Sequence, residues 1–279
     1  MNTLPVDVSN SKRMELSWVN GFSFKLYENT QPWNKEIQEI QKGLLLVHNG
    51  VELVGEGGGF GLPLAIYKDK TVFPGTARVS TVSDKKIIKE FVFNRISRKV
   101  IRRISIPDIL VKKIETVFNI IYLKSGASRR LFDELIRFRR IVGVKTEFKE
   151  IRSRGRVTVI YELCDEDSIH ITLLFGLSMF ELLNLVVLNE QGAEYFKIFQ
   201  DSNDLSLTGM EIGAWKRVTA EESYFVYPDK NISFRLQNRD DAELFRGWEM
   251  VHESHSWAGL DYSFKPRKKF EYKIKFIIR

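Results

Sequence analysis

EMVHESHSWAGLDYSFKPRKKFEYKIKFIIR, residues 249–279, is the stretch on which the reading of this chain turns. Apolar side chains recur at every second position in Tyr272, Ile274, Phe276 and Ile278, while Lys273, Lys275 and Ile277 take the alternate places. A period of two marks a strand with one face in a core. Just ahead of it, Glu249, His252, Glu253, His255 and Trp257 gather acids, imidazoles and an indole beside a rigid element, where a binding or catalytic group is best held.

The same pattern extends toward the N-terminus. Runs at Met14–Tyr27 and Leu44–Val54 fold about Asn20-Gly21 and Asn49-Gly50, pairs that suit the tight turns of hairpins. Further strands are predicted at Leu64–Lys68, Ile87–Asn94, Val144–Ile151, Arg156–Leu163, Ser168–Phe175, Leu185–Leu188, Glu194–Phe199, Ser223–Val226 and Ile232–Leu236. Short strands separated by Asn, Asp and Gly favour an antiparallel sandwich over a parallel sheet with alternating helices. The expected fold is therefore mainly β, a large antiparallel β-supersandwich, with a short helical excursion near residues 107–141. No linker or repeat divides the chain, so residues 1–279 are read as one domain.

With 279 residues, 43% of them hydrophobic, the chain can bury a large core. The first twenty residues hold no apolar run that could serve as a signal-peptide core, and a cytoplasmic location is expected. Cys164 is the sole cysteine, so no internal disulfide forms, and its acidic flanks raise rather than lower the proton affinity of a thiol. The apolar run Ile171–Leu188 contains Glu181 and Asn184 and is broken by Gly176 and Ser178. Two core strands joined by a turn fit it better than a membrane span.

Charge is concentrated in the middle, where 21 Lys or Arg face 8 Asp or Glu between Asp84 and Arg156. This supports an alternative function, a non-enzymatic scaffold whose basic segment binds an anionic partner such as nucleic acid, an anionic surface or an acidic protein. Yet Arg129, Arg130, Arg137, Arg139 and Arg140 spread over a wide arc of any helix, and no nucleic-acid-binding signature accompanies them. Weak, non-specific attraction to polyanions is the expectation.

Gly55-Glu56-Gly57-Gly58-Gly59-Phe60-Gly61 lacks the Lys-Ser/Thr ending of a phosphate loop and the glycine spacing of a dinucleotide site. Its glycines serve close backbone packing or the approach of a flat ligand, and Glu56 is the one charged side chain that could meet such a ligand.

Residues 154–163, RGRVTVIYEL, followed by Asp165-Glu166-Asp167 and Ser168-Ile169-His170-Ile171-Thr172, resemble the central hairpin of galactose-mutarotase-like proteins. Val72-Phe73-Pro74-Gly75-Thr76-Ala77-Arg78 is similar to the stretch that precedes a substrate-binding arginine there. The order Glu253, Lys265-Pro266-Arg267, Phe270-Glu271-Tyr272 is similar to the C-terminal order of that family. The resemblance implies a carbohydrate-binding or carbohydrate-modifying protein with a cleft on the concave sheet face, epimerase-like or lyase-like if active. It places Glu253 where the family has a general base, and Arg78 as a substrate ligand. The family's His-Tyr-Phe-Asn-Leu motif is absent, which leaves His170 and His255 as candidate acids. Trp257, flanked by Ser256, Gly259 and Asp261, suits a sugar platform. The spacing of Glu249, His252, Glu253 and His255 does not reproduce a His-Glu-x-x-His metal site, and neither metal nor cofactor is expected.

Overall fold

The computed structural model describes residues 13–17, 22–28, 42–54, 58–68, 70–101, 145–165, 167–252 and 255–278. Two compact units are present, residues 1–94 with 153–279, and residues 95–152. In the second unit the described backbone is strand as far as Ile101 and again from Lys145. The predicted helical excursion at 107–141 and its arginine clusters lie outside the described residues, as do Glu56 and Glu253.

The first unit is built of antiparallel strands, with no α-helix among the described residues. A four-stranded sheet runs β1 (Arg13–Ser17), β2 (Phe22–Tyr27), β3 (Leu45–His48), β4 (Val51–Glu52), and both predicted hairpins are present in it. At the second turn Asn49 and Gly50 take φ of 47° and 82°, the left-handed pair that a two-residue hairpin turn requires.

Six strands form the next sheet. Their order is β14 (Lys216–Val218), β17 (Glu243–His252), β18 (His255–Phe264), β11 (Leu182–Gln191), β5 (Gly59–Tyr67), β6 (Lys70–Val72). The largest sheet has nine, ordered β13 (Ser206–Thr208), β12 (Ile198–Asp201), β15 (Glu222–Tyr227), β16 (Ile232–Gln237), β19 (Lys269–Ile278), β10 (Ser168–Leu177), β9 (Lys145–Asp165), β8 (Lys86–Ile101), β7 (Thr76–Ser83). The two runs predicted at Val144–Ile151 and Arg156–Leu163 are one strand, β9. The polar stretch between them continues the strand, with Gly155 taking a φ of 116°.

Alternation decides which side chains enter the core. In β19, Phe270, Tyr272, Ile274 and Phe276 are buried, while Glu271 and Lys273 are exposed. In β10, Ile169, Ile171 and Leu173 are buried and His170 and Thr172 turn outward. The six- and nine-stranded sheets meet through aromatic edges: Phe60 lies 5.1 Å from Phe234 and 5.6 Å from Phe276, and Tyr262 lies 5.2 Å from Tyr272. Offset and edge-to-face contacts of this kind add to the gain from burying the rings.

The glycine-rich stretch is fitted into this core. Gly61 is a bulge residue, the extra one in β5 where its register with β11 shifts between Leu188 and Asn189. Its φ is 73°, and a Cβ there would stand 3.0 Å from the ring of Tyr161. Gly61→Ala is therefore expected to destabilise the fold by about 1–3 kcal/mol, since left-handed strain and crowding act together. Chemical denaturation checks this; an unchanged midpoint would show that the bulge relaxes without cost.

Candidate functional site

Three polar residues in the middle of buried strands, Asn189, Glu190 and Asp261, break the apolar lining of the six-stranded sheet. Their positions follow from register. Between β11 and β18, Leu185 faces Phe264, Val187 faces Tyr262 and Glu190 faces Gly259 without a shift. Between β18 and β17, Asp261 faces Phe245, Gly259 faces Gly247 and Trp257 faces Glu249. The side that carries Leu185, Asn189, Leu260 and Tyr262 looks into the core. The opposite side carries Glu190, Trp257, Gly259 and Asp261, together with Phe245, Gly247 and Glu249.

Asn189 ties the sheets together from the core side. Its Oδ1 accepts from the Gly61 N–H at 3.1 Å and the Tyr272 hydroxyl at 2.6 Å, and its Nδ2 donates to the Leu260 carbonyl at 3.0 Å. On the other side the Gly58 N–H donates to Glu190 Oε2 at 2.8 Å, and the Asn189 N–H donates to Asp261 Oδ1 at 2.8 Å. Each carboxyl thus takes a backbone donor that the sheet ladder does not use.

The paired glycines create the floor on which larger groups lie. A Cβ on Gly259 would stand 2.9 Å from Glu190 Cγ, and one on Gly247 would stand 2.2 Å from Trp257 Cη2. The indole of Trp257 therefore lies flat over β17, its Nε1 donating to Glu249 Oε2 at 3.0 Å. Trp215, which is exposed, stands 6.4 Å from it. Aromatic faces with a carboxylate at the rim match a pyranose, which offers apolar faces and a polar edge.

Burial dominates the electrostatics of the acid pair. Loss of hydration pushes the Glu190 carboxyl up to about 7, against a smaller opposing effect of the Gly58 N–H. Asp261 is raised well above the ordinary carboxylate range, first by burial and then by the charge of Glu190. Both carboxyls are therefore shifted toward their neutral forms, and the charge of Glu190 makes ionisation of Asp261 harder still.

Sequence-predicted residues fall in two places. Trp257 stands on the face just described, and His255 begins β18, its backbone opposite His252. His170 and Arg78 belong to the nine-stranded sheet, on β10 and β7, with their side chains on its outward face. His170 and Arg78 therefore belong to a different sheet from Trp257. Around His170 that outward face is polar: Lys273 and Glu162 are its cross-strand neighbours, and a shallow depression is lined by Arg235, Gln237, Lys273 and Lys275. There Glu222 accepts from the Tyr224 hydroxyl at 2.5 Å and from Arg235 at 2.6 Å, which lowers the pKa of its carboxyl.

Glu190 was not singled out from sequence. The available signal was a polar trio, Asn189-Glu190-Gln191, directly after the continuous apolar run Leu185–Leu188, with an acid at 261 between Leu260 and Tyr262 in a strand-like stretch.

No family model matches the sequence, and no curated protein does. Among solved structures, the chain is similar to a protein of Escherichia coli K12 assigned as an aldose 1-epimerase, at 7% identity and a TM-score of 0.42 over 97% of this chain and 100% of that one. It is similar to a galactose mutarotase related enzyme from Lactobacillus acidophilus, at 9% identity and a TM-score of 0.37 over 95% and 97%. A heparan sulfate lyase from Pedobacter heparinus matches at 9% identity and a TM-score of 0.42 over 92% of this chain and 33% of the lyase. The resemblance to galactose-mutarotase-like and aldose-epimerase structures is one of fold, at low identity.

Proposed function

We propose that this is a carbohydrate-binding or carbohydrate-modifying protein whose site lies on the outward face of the six-stranded sheet. Trp257 is its platform, and Glu190 and Asp261 are its acid–base pair. The observation that carries the reading is the juxtaposition on one side of the six-stranded sheet of a flat, partly exposed indole, with Glu249 at its rim, and two buried carboxyls that burial shifts toward their neutral forms. A protonated carboxyl can donate to a ring or glycosidic oxygen, and its ionised partner can accept the proton of a sugar hydroxyl or of water. Chemistry at an acetal oxygen needs both states within one site.

A glycan array probed with the full chain, followed by calorimetry on the sugars retained, tests this. Trp257→Ala is expected to weaken binding about tenfold or more, because stacking area is lost. Glu190→Gln is expected to retain binding and lose any turnover. Sugar binding that neither substitution touches, or no binding across a broad array, would overturn the proposal.

A further inference from the structure

The end of the first unit where β10 turns into β11 carries an exposed apolar tip. In the connecting residues 178–181, Phe180 is 78% exposed and Met179 47%, and on the adjoining strands Leu183 is 49% and Leu174 41% exposed. Four large apolar side chains at one hairpin end are unusual for a surface that meets only water. They contribute nothing to the core, and the acid pair does not use them.

Cations gather at the same end, brought there by the topology. Leu174 is the cross-strand neighbour of Lys269, and the Phe175 N–H donates to the Lys268 carbonyl at 2.8 Å. Gly176 faces Arg156. The Lys68 N–H donates to the Glu181 carbonyl at 3.0 Å, and Lys265 Nζ donates to Asn184 Oδ1 at 3.2 Å. Lys68, Lys265 and Lys268 make no ion pair among the described residues. Arg156 and Lys269 are exposed and paired with Glu90 and Glu271 respectively. Glu181 is the one acid within the turn itself.

We propose that this tip is a membrane-docking site, in which Phe180, Met179 and Leu183 enter the headgroup boundary of an anionic bilayer while Lys68, Lys265 and Lys268 meet its phosphates. A protein partner would favour a groove or a flat patch. Here the apolar side chains stand at the exposed end of a hairpin with cations on the neighbouring strands, which matches a surface that is anionic outside and apolar a few ångströms in. The contact is peripheral: no helix among the described residues is long and apolar enough to cross a membrane, and the hairpin lends only its tip. Aromatic insertion supplies the hold, and the lysines make it sensitive to salt.

The test is co-sedimentation of the full chain with vesicles of phosphatidylcholine alone and of phosphatidylcholine mixed equally with phosphatidylglycerol. Binding to the mixed vesicles, weakened by salt and absent from the neutral ones, is expected. Phe180→Asp should lower the partition coefficient about tenfold or more, and Lys268→Glu about threefold to fivefold. Both side chains are exposed, so both variants should keep the parent thermal midpoint; Met179→Asp is the replacement if one does not. Failure to bind mixed vesicles, or equal partition of the parent and Phe180→Asp, would overturn the proposal. Self-association abolished by Phe180→Asp without vesicle binding would assign the tip to a second copy of the chain and overturn it too.

Discussion

Asn189→Leu is expected to lower the unfolding free energy by about 3–5 kcal/mol. Leucine keeps the branching and the number of side-chain heavy atoms but is bulkier, so no cavity opens, and the loss arises from stranded polar groups with some crowding added. The substitution strands the Gly61 N–H, the Tyr272 hydroxyl and the Leu260 carbonyl, all in buried surroundings. Each orphaned group costs about 1–3 kcal/mol, and the three overlap because they share one side chain. Tyr272→Phe removes a single partner and should cost only about 1 kcal/mol. Urea denaturation of both variants gives the comparison, and equal losses would mean that Asn189 does not organise the bulge.

A second large effect concerns pH. Glu190 sits at about 7 in the folded chain against 4.5 for a free glutamate, so between those values the folded state holds a proton that the unfolded state has released. Stability contributed by this group is complete below about pH 4.5 and is lost as pH rises through 7; Asp261 has the same sign. Over that window the parent should lose about 2–3 kcal/mol more than Glu190→Gln, whose amide does not titrate. Lys89 opposes this at higher pH. Its ammonium is buried, donates to the Lys42 carbonyl at 2.6 Å, and is brought by burial from 10.5 down to about 7. From there toward 10.5 the unfolded chain binds the extra proton, and stability rises again. Thermal midpoints across both windows should pass through a minimum near neutrality in the parent, with the acid limb flattened in Glu190→Gln. A parent profile that climbs steadily from pH 4.5 to 7 would contradict the buried-pair account.

Alternation was enough to read the sheets: Tyr272, Ile274 and Phe276 enter the core as their period requires, β1 pairs with β2 as a hairpin would, and Asn49-Gly50 forms the turn between β3 and β4. The antiparallel, sandwich-like architecture followed from those signals. The candidate site was less legible, because alternation assigns a side chain to a face without saying which sheet the strand joins. Arg78 and His170 carry polar positions on strands that pair into the nine-stranded sheet, whereas Trp257 joins the other. Glu190 was hidden for a different reason. Asn189-Glu190-Gln191-Gly192 has the composition of a turn, yet pairing with β18, the bulge at Gly61 and the bond from Gly58 keep its first three residues in a strand and buried. The apolar run Ile171–Leu188 was read as two strands about a turn, and so it is; what sequence could not weigh was that the turn leaves Phe180 in solvent.

Glu190 and Asp261 lie buried on the side of the six-stranded sheet that carries Trp257, and burial raises both carboxyls above their ordinary range. Carbon-detected NMR titration of the Glu190 side-chain carboxyl, assigned through Glu190→Gln and repeated with a saccharide retained on the array, tests this most directly. A midpoint near 7 is expected for the free protein, and a displaced midpoint when the sugar is bound. A midpoint near the ordinary 4.5, unmoved by the sugar, would contradict it.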